Sequence, residues 1–304
     1  MTRSCIFGLA MLLLLSACQR EIDMKLPDYG PKLVVEGTIE TGSPAMVMLS
    51  RSVPYFSEIS LNTLVNDILV NDKAAQVYLT SEDGEEEQLV FKITPDAPYY
   101  VAFCGSKIIG KENTRYTLRV VYDGKTYEAE TSIPKTFDLD SAGFDRSAEI
   151  LNDTMATIRV LMKDAADEVN YYAFFCQVHC PTLHDRLWVS MLPVAFDDRA
   201  FNGQQFNYEI TRYGYSLLMR NILDKEAQKN FSRITFRPGD TVYLKHSQVD
   251  YHTYRYLSTA GTEAALGSNP FMPPSPAVTN FNSDEVLGHW SGFASKTDTL
   301  IWHK

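Results

Sequence analysis

Apolar and polar residues alternate with a period of two along much of the chain, the signature of half-buried strands. Residues 32–39 open with a β-branched run, and residues 45–50 follow a Gly42-Ser43-Pro44 turn, which predicts a hairpin. Residues 75–80 and 87–92 alternate strictly on either side of Ser81-Glu82-Asp83-Gly84. Residues 116–122 turn at Asp123-Gly124 into residues 125–131, the pattern of a type I′ hairpin. Roughly six or seven short strands at this spacing predict an immunoglobulin-like β-sandwich over residues 31–135. Ile133-Pro134 closes it, because proline cannot donate into a ladder.

The scattered Asp and Ser of residues 136–149 place a domain boundary there, with a second domain over 136–304. Residues 155–162 and 171–178 read as paired strands, 186–192 as a third, and 241–246 as a strand entered through the Arg237-Pro238-Gly239-Asp240 turn. Residues 215–231 and 250–266 space their apolar positions as helices do, and Gly267 with Asn269-Pro270 stops the second. Residues 271–276 hold three prolines and must be extended. Residues 289–295 and 299–302 close the chain as two strands. The fold class expected is mainly β: a sandwich followed by a larger antiparallel β domain with one or two helices.

The first 17 residues break this pattern. Arg3 precedes an apolar run, Ile6 to Leu15, that is too short to span a bilayer, which takes roughly 20 residues. It ends in small residues at Leu15-Ser16-Ala17-Cys18, which fits a lipobox: residues 1–17 would be removed and Cys18 acylated, anchoring the chain to membrane lipid. The competing reading is an ordinary cleaved signal with a cysteine nearby. Residues 18–30 have no period and contain Pro27, so they read as a tether. Loss of Arg3, one of 28 basic residues, leaves 27 against 38 acidic ones, a formal charge of −11. That balance argues against nucleic acid as a partner. Once Cys5 leaves and Cys18 is acylated, Cys104, Cys176 and Cys180 remain of the five cysteines, too few for a disulfide scaffold.

Candidate chemistry is sparse. Cys176, His179, Cys180 and His184 offer sulfur and nitrogen ligands of the kind zinc takes, but structural sites usually split into two separated pairs. A Cys176–Cys180 disulfide would need a turn between them, and the bland reading is a strand end entering the Pro181 loop. Five acidic residues around Gly84 read as a solvated hairpin tip in preference to a calcium loop. Asp197-Asp198 and Asp284-Glu285 are carboxylate pairs of the type glycosidases use, though adjacent loop carboxylates are usually only solvated. No nucleophile elbow, zinc-protease motif or phosphate loop occurs, and no cofactor is implied. Tyr99-Tyr100, Tyr213, Tyr215, Tyr251, Tyr254, Tyr256 and Trp290 are amphipathic rings that could stack on a sugar or anchor a protein. The preferred contact surface is Tyr254, Tyr256 and Trp290 with the proline-rich loop at Pro270 and Phe271.

Several landmarks in order carry a wider resemblance: the lipobox, Leu33-Val34-Val35-Glu36-Gly37, Tyr116-Thr117-Leu118 with Asp123-Gly124 and Ile133-Pro134, and Phe201-Asn202-Gly203. Pro238-Gly239-Asp240-Thr241-Val242, Asn269-Pro270-Phe271 and Val286-Leu287-Gly288 continue the series. Together they resemble a Bacteroidetes lipoprotein family known only as domain of unknown function 4249. Asn282-Ser283-Asp284-Glu285 stands where members commonly have Asn-Gly-Gly. The resemblance implies a β fold, an outer-membrane lipoprotein, and association with TonB-dependent receptors of nutrient uptake; it implies no catalytic residues. Glu21 and Asp23, just after Cys18, resemble a surface-export signal, so the expected location is the outer membrane facing the exterior. The expected role is non-catalytic binding of an unknown nutrient ligand beside such a receptor. A surface glycan or peptide hydrolase and a structural, adhesin-like module are the alternatives.

Overall fold

The computed structural model describes residues 30–53, 60–94, 101–146, 155–166, 168–180, 183–184, 188–212, 235–266 and 278–303. The expected first hairpin is β1 (Leu33–Glu40) with β2 (Pro44–Arg51), each burying alternate residues. β3 (Ala75–Ser81) pairs with β4 (Glu86–Gln88), and β5 (Val90–Ile93) pairs with β6 (Val101–Ile109). The single strand expected over 87–92 is therefore two strands in different sheets. Leu89 divides them: it is buried, and its N–H bonds the Val77 carbonyl at 2.9 Å. β7 (Thr114–Tyr122) and β8 (Lys125–Ile133) form the Asp123-Gly124 hairpin. Both turn residues have positive φ, 51° and 71°, as a type I′ turn requires.

β9 (Ser141–Asp145) lies inside the stretch read as a boundary. β10 (Thr157–Lys163) and β11 (Tyr171–Cys180) follow, then the short β12 (Leu183–His184), β13 (Val189–Leu192), β14 (Phe196–Asp197), β15 (Gln205–Arg212) and β16 (Thr241–Val249). β10 and β11 are not partners, because β13 and β15 stand between them. The helix expected over 250–266 is α1 (Tyr251–Leu266), and the two closing strands are one, the 16-residue β17 (Val286–Ile301). The helix expected over 215–231 and the proline-rich 271–276 lie outside the described residues.

The larger sheet runs β5-β6-β2-β1-β17-β16-β11-β13-β15-β10-β9, and the smaller runs β4-β3-β7-β8. β17 is parallel to β1 and antiparallel to β16, so the last strand sits in the middle of the larger sheet. The two sheets share a sandwich core that includes Val35, Val47, Val77, Leu118, Ala129 and Trp290. A second core gathers inward residues of β10, β11, β13, β15 and β16. On the opposite face of the larger sheet, Phe175, Val249 and Phe293 pack with Tyr254 and Leu257 of α1. The division expected at residue 135 separates two cores, yet Val286, Trp290 and Ala294 of β17 belong to the first of them, and Pro31–Lys304 is one compact unit.

Two glycines set the approach of β1 to β17. A Cβ on Gly37 would lie 2.7 Å from the Trp290 ring. A Cβ on Gly288 would lie 2.0 Å from the Val35 carbonyl oxygen, at a φ of +91° that side chains rarely adopt. The Leu-Val-Val-Glu-Gly and Val-Leu-Gly landmarks are thus the two halves of one strand contact.

Candidate functional site

β8 is an edge of the smaller sheet, and an edge exposes backbone donors and acceptors that must be covered or solvated. Three side chains cover it. Asn282 Oδ1 accepts the Glu128 N–H at 3.0 Å while its own N–H donates to the Glu128 carbonyl at 2.9 Å. Asn280 Nδ2 donates to the carbonyls of Glu130 and Trp290, each at 2.8 Å, and its Oδ1 accepts the Trp290 N–H at 3.0 Å, which ties β8 to β17. Asp250 caps α1 by accepting the Thr253 N–H on Oδ1 at 2.8 Å. Its Oδ2 accepts from the Ser132 N–H at 2.9 Å and the Thr131 hydroxyl at 2.8 Å.

These contacts hold open a groove of about 760 Å³ between β8, the start of α1 and residues 279–282. Glu128, Glu130, His252 and Asn282 on its walls are exposed, and Phe281 at its base is buried. Tyr251 stands at the helix end of the groove, 47% exposed. Its ring rests 5.6 Å from Tyr171, and its hydroxyl accepts from Arg255 Nη1 at 3.0 Å. Arg115 approaches Glu130 at 4.0 Å.

The aromatics singled out for binding fall elsewhere. Trp290 is fully buried in the sandwich core and donates from Nε1 to the Tyr116 carbonyl at 3.1 Å, so it is a structural anchor and cannot be a contact surface. Tyr254 is half-buried, stacked on Tyr171 at 4.8 Å, and its hydroxyl donates to Asp197 at 3.1 Å. Tyr256 stacks on His289 at 4.8 Å, and burial with the nearby Glu36 pushes its hydroxyl up to about 12. Tyr254 packs on β11 through Tyr171 and Tyr256 on β17 through His289, whereas Tyr251, one turn before Tyr254, is half-exposed. Pro270, Phe271, Tyr99, Tyr100, Tyr213, Tyr215 and Cys18 lie outside the described residues.

The metal candidates do not converge. Cys176 is buried in the second core, and His179 sits on the opposite face of β11 with its ring 5.1 Å from Tyr243. Cys180 shares the strand with Cys176, four residues away, so their Cα atoms lie about 13 Å apart at ~3.3 Å per residue, beyond disulfide reach. His184 pairs with His179 through the β11–β12 backbone. Among the described residues no group of three or more His, Cys, Asp or Glu is placed to hold a metal ion. The carboxylate pairs are engaged as well. Asp197 is held below the ordinary carboxylate range, first by Arg199, while Asp198 is buried and accepts the Asn170 N–H at 2.7 Å. Glu285 pairs with Lys125 at 2.7 Å.

One nucleophile–base contact was not expected: the Ser291 hydroxyl lies 2.9 Å from His289 Nδ1. The ring also bonds the His252 carbonyl, and both side chains are buried beneath α1, at 4% and 2% exposed. No substrate reaches that hydroxyl, so the pair seats the helix.

The architecture is a β-sandwich-like protein with a polar lateral groove. The chain belongs to the family of domain of unknown function DUF4249, whose model matches residues 19–299. No curated protein matches it. No helix among the described residues is long and apolar enough to cross a membrane.

Proposed function

We propose that the protein is a lipoprotein of the outer membrane, acylated at Cys18 and facing the exterior, where it binds a ligand without chemistry and assists a TonB-dependent nutrient receptor. Leu15-Ser16-Ala17-Cys18 supports the anchor, and residues 18–30 supply the tether. The observation that carries the binding role is the groove. Asn280, Asp250 and the Asn282 Oδ1 spend their hydrogen bonds on the scaffold, while Tyr251, Glu128, His252 and the Asn282 Nδ2 remain for a ligand. Rigid walls with unspent groups suit recognition, since little order must be imposed on binding.

Replacing Cys18 by alanine removes the acyl chains, each buried methylene of which contributes about 0.8 kcal/mol to membrane binding. The expected result is loss of palmitate labelling and transfer from the membrane pellet to the soluble fraction, read by immunoblot. Protease treatment of intact cells reports the exterior location, and affinity capture from solubilised outer membranes reports the receptor. A Cys18→Ala chain that stays in the pellet, or a wild-type chain that brings down no receptor, contradicts the corresponding half of the proposal.

A further inference from the structure

We propose that the groove beside β8 is a binding site for a neutral, polyhydroxylated ligand of the carbohydrate class, with one ring lying on Tyr251 and its hydroxyls engaging Glu128 and the Asn282 amide. The inference rests on the binding reading above and gives it a ligand chemistry.

Three observations exclude the other ligand chemistries such a groove could take. An extended peptide would bind by adding a strand to β8, which needs its outward backbone groups. The Glu128 N–H and carbonyl, the Glu130 carbonyl and the Ser132 N–H are already bonded, by Asn282, Asn280 and Asp250. A polyanion needs a basic cluster, and Arg115 is the one cation on the groove, standing 4.0 Å from Glu130. A polycation would find the Glu128 carboxylate opposite Arg119 on β7, that of Glu130 4.0 Å from Arg115, and that of Asp250 spent on Thr131, Ser132 and Thr253.

What remains matches a vicinal diol. Among the described residues Asn282 Nδ2 makes no hydrogen bond once its Oδ1 has accepted the Glu128 N–H, so it presents two donors. The Glu128 carboxylate, on the same pair of residues, presents only acceptors. A hydroxyl group both donates and accepts, so a neighbouring pair of hydroxyls satisfies both walls, which a purely cationic or anionic group does not. Tyr251 supplies the apolar complement. The residue is half-exposed on the groove, and Tyr171 at 5.6 Å with the Arg255 guanidinium 5.9 Å over its ring and bonded to its hydroxyl restrain the ring before a ligand arrives. The volume of about 760 Å³ lies within the range of small-ligand sites.

The test uses the full-length lipoprotein in detergent against an immobilised panel of neutral oligosaccharides built from α- and β-linked glucose, mannose, galactose and xylose. Retention of at least one is expected, with affinity falling about tenfold or more in Tyr251→Ala and in Glu128→Ala and kept in Tyr251→Phe. Binding should also be insensitive to ionic strength, because no net charge is neutralised. Both positions are exposed, so the variants should melt with the wild type, and a distal Lys73→Ala chain should bind normally. The inference is overturned if nothing is retained, if Tyr251→Ala binds as well as wild type, or if binding collapses with salt. A chain that captures a receptor but no saccharide removes this inference and leaves the accessory role standing. One that retains a saccharide but captures no receptor does the reverse.

Discussion

At the scale of single residues, buried polar groups explain the sequence better than any catalytic reading. His289 is the sharpest case. Burial holds its imidazole down at about 4, against the opposing charge of Asp250. Glu36 is its register partner on β1, and Tyr256 and His252 face it from α1. In the unfolded chain the group titrates near 6.5, so between about pH 6.5 and about pH 4 the unfolded state binds more protons than the folded one. Stability is therefore complete above the upper limit and falls as the pH drops, by up to about 3 kcal/mol at ~1.4 kcal/mol per unit. Denaturant titrations at a series of pH values should show this slope, and His289→Gln should flatten it. An unchanged slope would place the protonation elsewhere.

At the scale of elements, alternation made most strands legible, because a sheet with one wet face writes its period into the chain. β6 escapes that rule: Ala102, Phe103, Cys104 and Gly105 are buried in succession, so no alternation marks it. β15 is absent from the expected strands although Phe206, Tyr208 and Ile210 do alternate. The break at Leu89 was illegible for another reason, since it depends on which sheet each neighbour joins. A carboxylate holds that junction. Burial opposes its ionisation, yet Ile108, Lys107 and Ser106 donate to Glu87 and hold its carboxyl below the ordinary range. Its oxygens accept N–H groups at 2.6 Å from Ser106, 2.9 Å from Lys107 and 2.9 Å from Ile108, which ties β4 of one sheet to β6 of the other. Glu87→Ala should cost about 2 kcal/mol in urea unfolding, and Glu87→Gln less, because one amide oxygen still accepts. The wild-type advantage is present above about pH 4.5 and should disappear as the pH falls through the depressed value. The groove could not be read from the chain at all. Arg115, Thr117 and residues 128–132, 250–252 and 279–282 form it, and only the closure of β17 beside β8 brings them together.

At the scale of the whole molecule, β17 is the strand that completes both halves. β17 lends Val286, Trp290 and Ala294 to the first core and Leu300 to the edge of the second. Residues 31–135 carry most of a sandwich but lack those side chains and the partner of β1 along its outer edge. Expressed alone, that fragment should unfold without a cooperative transition, and addition of a peptide covering residues 278–303 with Trp302→Phe should restore one, as followed by Trp290 fluorescence. A cooperative transition in the fragment without the peptide would show that the halves are independent.

The place of β17 bears on the order of events as well as on their energy. It is the last of the sheet's strands to be synthesised, and it inserts between partners made long before it. Closing so distant a contact is slow, and until it closes neither core is complete. An arrangement in which the last strand completes both cores is a built-in delay. The polypeptide stays loose for as long as its tail is missing, and arrival of the final strand between β1 and β16 is the event that locks it.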